Sequence, residues 1–82
     1  MELRYHLESL FTSEMNWSNY GSYWQIDHII PISLFLRETP IGVVNSLNNL
    51  RPLHKDENNK KSNKLNDSSL LIIDNFQQYL KK

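Results

Sequence analysis

The chain has 82 residues, with 9 basic and 9 acidic side chains balancing to zero and no cysteine. One domain spanning 1–82 fits this length, and it can hide only about 60% of the surface its unfolded chain exposes; without cysteine, disulfides and cysteine-ligated zinc are excluded. No apolar run approaches the roughly 20 residues of a membrane span, and the start MELRYHLESLF carries charges where a signal peptide would be apolar, so a soluble, cytoplasmic chain with no membrane partner is expected.

Leu3, Leu7, Leu10, Phe11 and Met15 recur at helical spacing and predict an amphipathic helix over 2–14, stopped by Asn16, Ser18, Asn19 and Gly21. His6 lies in that helix and reads as an ordinary surface side chain. Trp17, Tyr20, Tyr23 and Trp24 could stack on bases, but a small domain needs such groups for its core, which is the preferred reading. Tyr23, Trp24 and Ile26 favour a strand that ends near Asp27 and His28, before Pro31.

Thr39 and Pro40 read as an N-cap and first turn of a short helix with Ile41, Val44 and Leu47 on one face. Asn49 to Leu53 can form a second strand, with Pro52 placing it at an edge or ending it early. Residues 55–65 lack proline and glycine and predict a helix. Asp67 or Ser68 can cap a last helix over 69–80, with Leu70, Leu71, Ile73, Phe76, Tyr79 and Leu80 on its apolar face.

Charge is unevenly placed along these elements. Residues 1–50 hold two basic and five acidic side chains, whereas 51–64 hold five basic (Arg51, Lys55, Lys60, Lys61, Lys64) and two acidic. The overall balance argues weakly against a nucleic-acid binder, and the basic segment taken alone is as readily a solvated helix face.

The chemistry-bearing residues decide between these readings. Hydrolysis of a phosphodiester needs an activated water and a cation to neutralise charge building on the phosphate. A hard divalent ion takes oxygen ligands, keeps several waters and can be held by one or two protein groups, so Asp27 with an Asn carbonyl would suit it. A histidine, with an ordinary pKa of about 6.5, can take a proton from water near neutrality, and His28 stands beside Asp27. Neighbours on a regular strand face opposite ways, so the pair is expected at an irregular strand end.

The segments WQIDHIIPISLF and NNLRPLHKDENNKKSNK together resemble the HNH endonuclease family, whose pattern is Asp-His, a nearby Pro, an Asn-Leu step, then a metal-binding His or Asn and a Lys. The likeness covers about half the chain and is similar to the variants of small phage and viral nucleases and of RNA-guided CRISPR effectors, in which the last His is Asn. The resemblance implies an α+β fold with a ββα-metal core over about 22–65, a two-stranded antiparallel hairpin plus a metal-site helix, with flanking helices at 2–14 and 69–80 in place of structural zinc.

The resemblance also implies roles. Asp27 matches the first metal ligand, His28 the general base, Asn49 the residue that ties down the histidine loop, and Asn58 the second metal ligand, with Asn48 and Asn59 as alternatives one residue away. Lys61 matches a basic residue near the phosphate backbone; Arg51, inside the motif, and Lys55 could contact phosphate too or be solvent-exposed charge, and His54 could approach the site, preferably in a supporting role. The implied cofactor is one divalent ion, Mg²⁺ first and Mn²⁺ next. The implied partner is DNA, double-stranded first, with RNA open, as are a homodimer and an additional specificity domain. A binding module on the same fold, or one domain of a larger nuclease, is the rival reading.

Overall fold

A computed structural model describes residues 2–61 and 67–81. The elements run α1 (Glu2–Ser9), β1 (Trp24–His28), α2 (Ile41–Val44), β2 (Leu50–His54), α3 (Lys55–Lys61) and α4 (Asp67–Ile72), with 3₁₀ turns at Trp17–Asn19, Ile32–Leu34 and Leu47–Asn49 and a longer 3₁₀ segment at Ile73–Tyr79. The fold is α+β, and an antiparallel hairpin passing directly into α3 gives the expected ββα order.

Hairpin register runs from Trp24 opposite His54 to His28 opposite Leu50. It continues at both ends, where Ile29 N–H donates to the Asn49 carbonyl at 2.8 Å and Lys55 N–H to the Tyr23 carbonyl at 2.9 Å. Bonded and non-bonded pairs alternate in an antiparallel ladder, so Pro52, opposite Ile26, falls where no N–H is needed. The proline therefore sits inside β2 without ending it.

The N-terminal core is aromatic. Trp24 is fully buried, its ring contacts Phe11, Trp17 and Tyr20, and its indole N–H donates to the Asn16 carbonyl at 2.8 Å. Trp17 and Tyr20 remain 38% and 52% exposed, so only part of the aromatic set is core. At Gly21 the backbone turns with φ +92°, a region that glycine enters at no steric cost. Its N–H meets the Trp24 carbonyl at 2.7 Å and starts β1.

The helix expected over 2–14 ends at Ser9. Tightened bonds from Leu10 N–H to Leu7 and from Phe11 N–H to Glu8 close it, freeing Phe11 to turn into the tryptophan cluster. His6 also departs from expectation: it is half-buried, and its Nε2 donates to the Leu50 carbonyl at 2.7 Å, fastening α1 to β2.

A second core gathers Ile30, Phe35, Val44 and Phe76, with Ile72, Ile73, Tyr79 and Leu80 packed on it. The helix expected over 69–80 starts at Asp67 and changes to 3₁₀ winding after Ile72. Three residues per turn place Ile73, Phe76 and Tyr79 on one side, which is the side the core receives. Backbone bonds from Leu36 N–H to Tyr79 and from Lys81 N–H to Leu34 then strap the C-terminal segment to the interstrand connection.

Thr39 does not cap α2; Pro40 holds that position, and the Thr39 hydroxyl donates to the Tyr79 carbonyl at 3.3 Å. α2 is a single turn, and Leu47 lies in the 3₁₀ turn after it. For the helix expected over 55–65, the stretch 55–61 is helical and 62–65 lies outside the described residues. Among the described residues no helix is long and apolar enough to cross a membrane.

Candidate functional site

Asp27 and His28 are the last two residues of β1 and stay in ladder register, opposite Arg51 and Leu50, so the irregular strand end expected for them is absent. They nevertheless border one cleft of about 500 Å³, lined by Ile26, Asp27, His28, Pro31, Ile32, Ser33, Asn58 and Lys61. Ile26 and His28 come from one face of the strand and Asp27 from the other, and in a sheet that has, among the described residues, only two strands all three line the cleft.

Helix α3 packs against both β1 and β2. Asn58 and Lys61, three apart, lie on one side of the helix, while Gln25 and Asp27, two apart, lie on one face of the strand. They meet pairwise. Asn58 Nδ2 donates to Gln25 Oε1 at 2.8 Å, and Lys61 Nζ donates to Asp27 Oδ1 at 2.9 Å and to the His28 carbonyl. Asn59 is exposed and outside the cleft.

Asp27 is 5% exposed, and a carboxylate so buried needs charged or hydrogen-bonded partners. Both oxygens have one: Lys61 on Oδ1, and the Arg51 guanidinium Nε on Oδ2 at 2.9 Å. Arg51 is itself held by Ser68, whose hydroxyl accepts from Nη1 at 2.9 Å. Arg51 and Lys61, expected on the phosphate backbone, thus both bond to Asp27.

Asn49 is fully buried directly before β2. Its Oδ1 accepts from Ile30 N–H at 2.7 Å, and its Nδ2 donates to the Val44 carbonyl at 2.9 Å, so one amide ties the chain after His28 to the end of α2. Asn48, the alternative, is exposed. Ser69, also fully buried, donates its hydroxyl to the Ile29 carbonyl at 2.7 Å. The backbone leaving His28 is therefore held from two directions.

His28 is half-buried, and its Nε2 lies 2.7 Å from Asn45 Oδ1. His54 and Lys55 lie at the other end of the hairpin. His54 Nδ1 accepts from Asp56 N–H at 3.1 Å, its ring meets Tyr23 edge-on at 4.6 Å, and Lys55 is exposed at the start of α3. Neither lines the cleft.

Asn45, Ser69 and Gln25 escaped the sequence reading, and Ser68 entered it only as a candidate helix cap. The two serines carried a signal, small hydroxyls at a helix start, which reads equally well as capping. Asn45 and Gln25 carried none, because their partners are 17 and 33 residues away.

Among the described residues no three His, Cys, Asp or Glu side chains cluster to hold a metal. The oxygen donors that line the cleft include the Asp27 carboxylate and the Asn58 amide, the type of ligand a hard divalent ion takes. Both Asp27 oxygens already carry a cationic partner, Lys61 on Oδ1 and Arg51 on Oδ2, which an ion bound there would share or displace.

The HNH endonuclease family matches residues 13–64, which include every residue lining the cleft. An uncharacterized protein of Acanthamoeba polyphaga mimivirus is 41% identical over 64 residues, covering 76% of this chain and 28% of that protein. No solved structure matches the chain. HNH domains are nuclease domains that generally bind nucleic acid and typically use a divalent metal. With more than half its length matched, the chain belongs to the HNH endonuclease family.

Proposed function

We propose that this chain is a single-domain, metal-dependent endonuclease that hydrolyses phosphodiester bonds of DNA, with His28 as general base. The observation that carries the reading is the convergence of Asp27, His28, Asn58 and Lys61 on one open cleft, from a strand and a helix that fold packing holds together. Asp27 and Asn58 would hold the ion, Mg²⁺ first. When bound, that ion supplies positive charge against the negative charge that builds on the phosphate and the departing 3′ oxygen.

The chain's own residues do the rest. His28 takes a proton from the attacking water and becomes an imidazolium. Asn49 and Ser69 fix the backbone behind it, so the imidazole is presented from a rigid strand end. Lys61, which lines the cleft and bonds Asp27 Oδ1, adds a positive charge on the side where a phosphate would enter. Products with a 5′-phosphate and a 3′-hydroxyl are expected.

Phosphate contacts position a substrate without reading its sequence, and one short helix beside the cleft supports weak sequence preference. That the mimivirus relative carries this segment as 28% of its length supports target choice residing in accompanying sequence. The test is incubation of supercoiled plasmid with protein and Mg²⁺ or Mn²⁺, with EDTA as control. Metal-dependent nicking at many positions is expected. Salt-dependent DNA binding with no cutting under either metal would replace the enzyme by a binding module on the same fold.

A further inference from the structure

We propose that Asn45 is a positioning residue for His28, holding the ring proton on Nε2 and leaving the Nδ1 lone pair as the basic site. The idea rests on the nuclease reading above for its catalytic consequence, while its structural half stands alone. An amide oxygen has lone pairs and no proton, so the ring nitrogen 2.7 Å from Asn45 Oδ1 is the donor. A neutral imidazole carries one ring proton, so Nδ1 is then the acceptor. Which nitrogen is basic is thereby set by the bond the other one makes.

The contact is built in from both sides. Asn49 accepts from the N–H of Ile30, two residues after His28, and donates to the carbonyl of Val44, one residue before Asn45. One fully buried side chain therefore fixes the spacing between the backbone segments that carry the pair. Asn45 is fixed locally too: its N–H donates to the Ile41 carbonyl at 2.9 Å, and the neighbouring Ser46 hydroxyl donates to Val43 at 2.6 Å. Asn45 is exposed and absent from the core, so its side chain has no packing role in the fold.

The test reads the tautomer directly. Protein labelled with ¹⁵N at histidine, free of metal and at a pH well above the ordinary imidazole pKa of about 6.5, is examined by long-range ¹H–¹⁵N correlation of the ring atoms. The His28 signals are identified by their loss in His28→Ala. Expected is a protonated-type Nε2 and an unprotonated-type Nδ1. In Asn45→Ala the two nitrogen shifts move toward each other as the second tautomer enters, and in Asn45→Asp, which keeps an oxygen acceptor, they return. A ring proton on Nδ1, or a spectrum unchanged by Asn45→Ala, overturns the proposal.

In plasmid nicking with Mg²⁺, Asn45→Ala is expected to lower kcat about 10- to 100-fold, the size of loss found when a partner that orients a metal-bound histidine is removed, with KM unchanged and Asn45→Asp recovering most of the loss. An unaltered kcat also overturns it. If wild-type protein nicks nothing, the nuclease reading fails, and the ring-nitrogen spectrum still decides whether Asn45 sets the His28 tautomer.

Discussion

The Lys61 ammonium and the Asp27 carboxylate form an ion pair at 2.9 Å in which the two side chains are only 6% and 5% exposed. Because Arg51 takes the other carboxylate oxygen, Asp27 joins α3, β2 and, through Ser68, α4. Removing the shared anion leaves two cations facing each other without a counter-charge, and losing one member of a buried pair costs about 3–5 kcal/mol. Asp27→Ala is therefore expected to lower the urea midpoint more than Lys61→Met, which leaves Asp27 paired to Arg51 and should cost about 1–3 kcal/mol. Equal losses in the two variants would mean that Arg51 does not support the carboxylate.

Asn49→Ala should be among the most damaging substitutions in the chain. It leaves the Ile30 N–H and the Val44 carbonyl without their partner in a site with no solvent access. Each buried group so orphaned costs about 1–3 kcal/mol, a large part of the total stability of a domain this size. Circular dichroism during urea unfolding is the measurement. Asn48→Ala, at an exposed neighbour, is expected to leave the midpoint where it is.

The tryptophans should separate cleanly. Trp24→Ala removes the fully buried centre of the aromatic cluster and is expected to cost about 3–5 kcal/mol. Trp17, 38% exposed, should cost less on the same change, and only its fluorescence should be quenched by acrylamide in the folded protein. Equal quenching of the two would contradict the burial of Trp24.

These contrasts show what could be read in advance. The strands were legible because Trp24 and Ile26 favour extended backbone, and the second strand, expected over Asn49 to Leu53, falls one residue later at Leu50–His54. The end of α1 was not: Phe11 and Met15 keep helical spacing, yet Phe11 packs from a turn against Trp17 and Trp24. Ile73, Phe76 and Tyr79 are spaced for either a 3₁₀ or an α-helix, and the strap to residues 34–36 decides it.

The cleft shows the same division. Asp27, His28, Asn58 and Lys61 stood out by residue type and order, and the structure gathers them around one cleft. That Arg51 and Lys61 turn inward to Asp27 was hidden, because a basic residue in a charged stretch reads as a face for solvent or phosphate until the buried carboxylate opposite it is known. Asn45 was invisible for a related reason: its partner His28 is distant in sequence, and nothing about an asparagine after a short helix points to an imidazole.

The most direct test of the account is metal-dependent nicking of supercoiled plasmid by wild type and by His28→Ala. His28 is half-buried and its side chain meets an exposed asparagine, so the variant should keep its fold and its urea midpoint. With Mg²⁺ saturating, loss of the general base should lower the nicking rate about 10²–10⁴-fold, the usual range for such a group. A folded His28→Ala protein that nicks at the wild-type rate would contradict the assignment of His28 as the base.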